Sequence, residues 1–377
     1  MKGEGDNAVV VYKPGSASFR KSVLKPELPS DTIDYSSDRF ITDSGRWMFS
    51  GSTERHPTEG GSQNGHVRAW KRNDKDEFDL FTQFWICGRM SEPGDFQFRE
   101  ENQMLFHMCG NGETSFSVWN LSVNPPQLVE TIDTGVRVTS ILLLNDQLLV
   151  GTNQGTVHFY TLQGQEKPTF NKVVKMVDQY IAKMTYDEAG RRLYTTELRG
   201  EKPIKIWDID DLTKPLAAIS AIPRELERTI LSGNRKYLAA SSEEDSRVMI
   251  WDTEDLSLIT FSEHSSWVRD MALMGDSSLV VSGSVQGALK IWDLKNPDIP
   301  AVTFFPGLAK RIKNIAVVPN RNEFVVETND SHMFHYRLES ITAILKRTCE
   351  AVQAYLHYMR EQYPEQVTVC KALQAAR

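Results

Sequence analysis

His107 and Cys109 stand two residues apart in the apolar stretch MLFHMC, so on a strand they share one face. A metal ion or a Cys–His pair would need that arrangement. Small buried residues fill such a stretch equally well, since free Cys commonly packs as a small hydrophobe, and the stretch reads as core. Asp330, His332 and His335 form a second group, but strand alternation sends the two histidines to opposite faces. The run Glu243-Glu244-Asp245 lacks the spacing of a calcium loop and reads as a solvated turn. The four cysteines, Cys87, Cys109, Cys349 and Cys370, lie far apart without paired spacing. They read as reduced thiols of a cytosolic or nuclear protein rather than as a disulfide framework or a zinc knuckle. No phosphate loop, dinucleotide turn, nucleophile elbow or HExxH pair occurs. The sequence therefore predicts no enzyme, no cofactor and no metal.

The elements that hold these residues come from a repeat. Seven short alternating stretches end in an aromatic residue: Trp70, Trp119, Tyr160, Trp207, Trp251, Trp292 and Tyr336. Their separations are 49, 41, 47, 44, 41 and 44 residues. A period of about 40–45 residues ending in Trp-Asp marks a β-propeller blade. The chain has 377 residues and reads as one closed ring over positions 1–338. Each blade reads as four strands, a to d. In the sixth, a is VRDMALM, b is SLVVSGS, c is ALKIWDL and d is IPAVTFF. These are rich in Val, Ile and aromatics, with turn residues between them.

The sixth unit, from His264 through Leu294, resembles the WD-repeat family position by position. A looser likeness covers most of the chain. The resemblance implies a buried chain of Trp on strand c, Ser/Thr on strand b, His before strand a and Asp in the b–c turn. Carried over, it gives His264, Ser282 and Trp292 in blade six, with Gln286 at the Asp position. It gives Ser241, Asp245 and Trp251 in blade five, and Asp330 with Tyr336 in blade seven. These residues, with Trp207, Trp119 and Trp70, read as structural, because buried polar groups must be satisfied. WD-repeat receptors of cullin ligases often carry Trp-Asp-x-Arg after strand c. The stretches here are WDID, WDTE and WDLK, so the resemblance disfavours that role.

Ring closure needs a spare strand. Ala8–Tyr12 is assigned to strand d of blade seven, and SASFRKSVLKPELPSD to a polar connection. The blade-one stretch STERHPTEGGSQNG reads as a long polar b–c loop. From Glu339 the pattern changes. Ile341, Ile344, Leu345, Val352, Tyr355, Leu356 and Met359 recur at helical spacing, which predicts an amphipathic helix within 339–377. The fold class is all-β: a seven-bladed WD-repeat propeller with a short C-terminal helical extension.

The resemblance also implies a top face where the starts of strands a meet partners. Those positions are Trp267 and Arg269 in blade six, Arg311 and Lys313 in blade seven, and Tyr180 in blade four. Aromatics and Arg anchor interfaces, and such a patch suits an acidic or phosphorylated peptide. Net charge is -7, which gives no global field for nucleic acid, and no apolar run reaches the length of a membrane span. The expected function is a cytoplasmic or nuclear interaction scaffold, an adaptor subunit of a larger complex. The alternative is a subunit of a ribonucleoprotein or nucleic-acid-associated complex, marked by salt-steep binding.

Overall fold

A computed structural model describes residues 17–24 and, apart from short stretches between strands, 39–340. It contains 28 strands in seven four-stranded sheets. The first strand, β1 (Ala17–Leu24), stands apart in sequence from the ring that follows. Blade one is β2 (Arg39–Ile41), β3 (Trp47–Arg55), β4 (Gln63–Arg72) and β5 (Phe78–Arg89). Blade two is β6 (Pro93–Arg99), β7 (Met104–Cys109), β8 (Ser115–Asn120) and β9 (Gln127–Asp133). Blade three is β10 (Val138–Leu144), β11 (Gln147–Thr152), β12 (Thr156–Thr161) and β13 (Thr169–Lys175). Blade four is β14 (Ile181–Asp187), β15 (Arg192–Glu197), β16 (Ile204–Asp208) and β17 (Ala217–Ile219). Blade five is β18 (Arg228–Leu231), β19 (Tyr237–Ser241), β20 (Arg247–Asp252) and β21 (Leu258–Glu263). Blade six is β22 (Val268–Met274), β23 (Leu279–Ser284), β24 (Leu289–Asp293) and β25 (Val302–Phe304). Blade seven is β26 (Ile312–Val318), β27 (Glu323–Thr328) and β28 (Met333–Ser340), completed by β1.

The first strands of the blades touch in a closed cycle, β2 to β6 to β10 and on through β26 back to β2. They therefore line the centre, and the fourth strands face outward. Every neighbouring pair within a sheet is antiparallel, so meander hairpins build each blade.

Apolar burial follows the same seven-fold plan. Seven hydrophobic clusters each combine residues of two adjacent blades. The aromatic that ends strand c always packs against the preceding blade. Trp292 joins Ala239, Val248 and Ile250 of blade five, Trp251 joins blade four, and Trp207 joins blade three. Trp70 joins Ala316, Val318 and Val325 of blade seven, so the last wedge seals the ring. A broad ring at this place fills the gap between two twisted sheets. At two joints the opposite wall leaves little or no room for a Cβ. A Cβ on Gly283 would lie 2.5 Å from Ile312 of blade seven, and one on Gly151 would lie 3.2 Å from Ile181 of blade four.

Three sequence expectations change. The closing strand is β1, inside the segment read as a connection, and Ala8–Tyr12 lies outside the described residues. Its eight residues pair with Met333–Ser340 in unbroken register, removing an open edge that would otherwise template association. The two ends of the blade-one b–c segment are strand, because β3 and β4 extend to the pair Arg55↔Gln63, and residues 56–62 lie outside the described residues. Strand β28 carries the propeller to Ser340, two residues past the expected boundary at Leu338. The helix expected beyond it lies outside the described residues.

Candidate interaction surface

In blades three, six and seven the residue just before strand a has a pinned backbone and an exposed side chain. Val285 N donates to Trp267 O, Asn329 N to Arg311 O, and Asn153 N to Arg137 O, each at 3.0 Å. These three residues hold equivalent places before Val268, Ile312 and Val138, and Tyr180 holds the same place before Ile181. Trp267 is 56 % exposed, unlike the buried Trp207, Trp251 and Trp292. Arg311 and Arg137 are exposed, and Tyr180 is half-buried. The Arg137 guanidinium lies 5.8 Å from the Tyr180 ring centroid, a cation–π distance. Arg137 escaped the sequence reading. The signal was available: it precedes VTSILLL as Trp267 precedes VRDMALM.

The second pair of expected anchors behaves differently. Arg269 and Lys313 occupy bulges, where strand registers shift between Val268 and Asp270 and between Ile312 and Asn314. Arg269 is half-buried. Lys313 is only 5 % exposed and faces Glu327 at 3.9 Å. Burial of that ammonium beside its carboxylate takes it off the free surface, contrary to the expectation from sequence. A buried charge needs such a partner.

In blades three, four and seven the residue after the strand-a bulge forms a clasp to the preceding blade. Ile141 N donates to Asp95 Oδ2 at 3.1 Å, Met184 N to Ser140 Oγ at 3.3 Å, and Ile315 N to Asp270 Oδ2 at 2.6 Å. Lys183 Nζ also reaches Asp95 Oδ1 at 2.7 Å, linking blade four to blade two across blade three. A bulge leaves backbone groups unpaired, and the neighbour's side chain satisfies them. Neither Asp95 nor Asp270 stood out in the sequence, because the groups they hold lie 45 residues or more away, on other blades.

The buried polar chains are only partly those expected. In blade six His264 Nε2 bonds Ser282 Oγ, and the His264 ring meets Trp292 edge-on with centroids 6.2 Å apart. Burial, assisted by the Lys290 charge, pushes the His264 pKa down to about 4, so the imidazole is neutral. Trp292 Nε1 is buried without a hydrogen-bond partner. In blade four Trp207 Nε1 donates to Thr195 Oγ1 at 2.9 Å, a pair the sequence reading missed. Register shows why Ser241 was misassigned. Trp251 lies opposite Leu238 as Trp292 lies opposite Val280, so Ala240, not Ser241, matches Ser282. One residue on a strand changes the face. Trp119 is half-buried and donates to Ser117 Oγ of its own strand at 2.9 Å. Asp245 and Asp330 lie outside the described residues.

The cysteine reading also needs correction. Cys87 and Cys109 are 22 residues apart in sequence, yet a disulfide joins them, with Cα atoms 5.7 Å apart. The packing of two neighbouring sheets brings them together: Cys87 lies on the outer strand of blade one and Cys109 ends β7 of blade two. No helix among the described residues is long and apolar enough to cross a membrane.

Comparison with known proteins agrees with this frame. The family model "WD domain, G-beta repeat" matches residues 256–293, which span strand d of blade five and strands a, b and c of blade six. WD repeat and SOCS box-containing protein 1 of Danio rerio is 32 % identical over 108 residues, 26 % of this chain and 26 % of that protein. The CCR4-associated factor 4 homolog of Candida glabrata is 30 % identical over 140 residues, 34 % of this chain and 23 % of that protein. The chain thus matches only about a quarter of the length of these relatives. A chain of a crystal structure of the mitotic checkpoint complex superposes with a TM-score of 0.62 at 13 % identity, covering 89 % of this chain and 95 % of that one. With seven blades closed by β1 and a WD-repeat match at blade six, the chain is a seven-bladed β-propeller that carries WD-repeat sequence.

Proposed function

We propose that the protein is a non-enzymatic scaffold, a subunit of a larger complex, that holds a partner on the rim formed by the starts of strands a. WD-repeat propellers generally serve as interaction scaffolds rather than enzymes, and fold alone does not go further. The observation that carries the reading is Trp267. A tryptophan 56 % exposed at a strand start fills no core, and aromatics of this kind anchor interfaces. Arg311 lies at the equivalent place on the next blade and Arg269 two residues from Trp267. Arg137 and Tyr180 extend the rim to blades three and four. The cationic and aromatic character of these places fits an acidic or phosphorylated peptide, recognised by charge-assisted bonds to Arg.

The test pairs Trp267→Ala with Arg311→Glu in the full chain and compares the proteins captured with those of the parent. Loss of at least one partner, with an unchanged melting curve, supports the rim as the binding face. Retention of every partner sinks it. Capture of RNA that falls steeply with salt would favour the ribonucleoprotein reading instead.

A further inference from the structure

Three side chains unused by the rim meet at the joint between blades one and two. Cys87 comes from β5, and His107 and Cys109 share one face of β7. Their donor atoms all lie within 4.8 Å of one another. His107 is fully buried and Cys87 nearly so, whereas Cys109 is half-buried and gives the cluster its route to solvent. His107 Nε2 faces Cys87 Sγ at 3.9 Å, and its Nδ1 is buried without a partner.

We propose that Cys87, His107 and Cys109 form a zinc site that is open when the two cysteines are reduced and closed by their disulfide. Thiolates and imidazole are the donors this ion prefers, and three protein ligands leave a fourth position for water on the Cys109 side. The spacing suits it. Bonds of about 2.3 Å to sulfur and about 2.05 Å to nitrogen, at a tetrahedral angle, put sulfur and nitrogen about 3.6 Å apart. Cys87 Sγ and His107 Nε2 are already 3.9 Å apart. The two thiolates would separate to about 3.8 Å around the ion, which side-chain rotation supplies because their Cα atoms are 5.7 Å apart.

The two states interconvert with balanced chemistry. A hydroperoxide accepts two electrons from the zinc-bound thiolates and two protons from solvent. Its O–O bond breaks to give water and an alcohol, the S–S bond forms, and the ion leaves. An external dithiol reverses the step by exchange, giving up two electrons and two protons to restore both thiols.

The experiment uses the full chain carrying Cys349→Ser and Cys370→Ser, so that only this cysteine pair remains. After reduction and removal of the reductant, cobalt(II) is titrated as a spectroscopic stand-in for zinc. The expected result is about one equivalent bound, with a thiolate-to-cobalt charge-transfer band and tetrahedral d–d bands, displaced by one equivalent of zinc. Treatment with hydrogen peroxide should abolish the bands and release the ion. A further Cys109→Ser change should remove most of the charge-transfer intensity while the melting curve persists. The comparison of reduced with peroxide-treated protein needs no change at the buried His107. The proposal is overturned if reduced protein, with both thiols counted after unfolding, shows no charge-transfer band. Equal binding by the oxidised protein or by the Cys109→Ser variant would overturn it as well.

Discussion

Blades six and two share one backbone plan and differ in almost every polar detail. In blade six a buried serine, Ser282, faces Lys290 across the ladder and bonds His264. In blade two the same ladder position holds His107, facing Ser117, and the next place on that face holds the disulfide-bonded Cys109. Blade four has Thr195 there, blade five Ala240 and blade three Val150. Yet the seven sheets keep four strands each and the aromatic wedge stays in place. The polar chain is therefore an optional refinement of a blade. The alternation that buries one face, and the aromatic against the preceding blade, are what every unit retains.

Predictions follow from that contrast, beginning with the largest effect. Deleting residues 1–24 removes the strand that pairs with all eight residues of β28. It should expose an edge and drive aggregation, seen by light scattering. A monomeric deletion variant with the parental melting curve would mean that blade seven does not need β1. Next, Trp292→Ala empties a buried wedge and should cost about 3–5 kcal/mol by denaturant melts. The same change at the half-buried Trp119 should cost clearly less. Equal costs would break the claim that wedge burial, rather than position in the repeat, sets the penalty.

Acid sharpens the comparison at the level of charge. Burial lowers the pKa values of His66 and His264 to about 4 and that of His107 to about 3, from the ordinary 6.5 of a free imidazole. Each imidazole is depressed on folding, so the unfolded chain binds more protons below pH 6.5. The stability these groups contribute is whole above pH 6.5 and is lost as pH falls toward 4. The melting temperature should drop across that window, and His264→Gln should flatten the drop. An unchanged slope would show that other groups govern the acid limb.

Smaller effects follow. Thr195→Val deletes the acceptor of the Trp207 N–H, and should cost about 1–3 kcal/mol because the buried donor is left unmatched. Trp292 already lacks a partner at Nε1, so Ser282→Ala should act through His264 alone, which a double-mutant cycle with His264→Gln resolves as non-additivity. Trp267→Ala should shift stability by no more than about 0.5 kcal/mol. Its effect belongs to binding, where a hot-spot residue costs about 2 kcal/mol or more.

The sequence alone determined the number of blades, their approximate boundaries and the seven aromatics that close the wedges. It could do so because a two-residue alternation and a periodic Trp are local facts, repeated too often to be accidental. VRDMALM became β22 residue for residue, and the start of its blade was marked well enough to single out Trp267. Tertiary structure decided what depends on which distant chain lies alongside. It chose Ala17–Leu24 as the closing strand, because pairing with β28 outweighs its polar composition. It placed Ser241 on the wrong face for Trp251 by a register of one, and turned Lys313 inward toward Glu327. It also gathered Cys87 with His107 and Cys109 across a blade joint. Composition carries no record of such meetings, because inter-blade contacts are set by how two twisted sheets abut, not by spacing along either one.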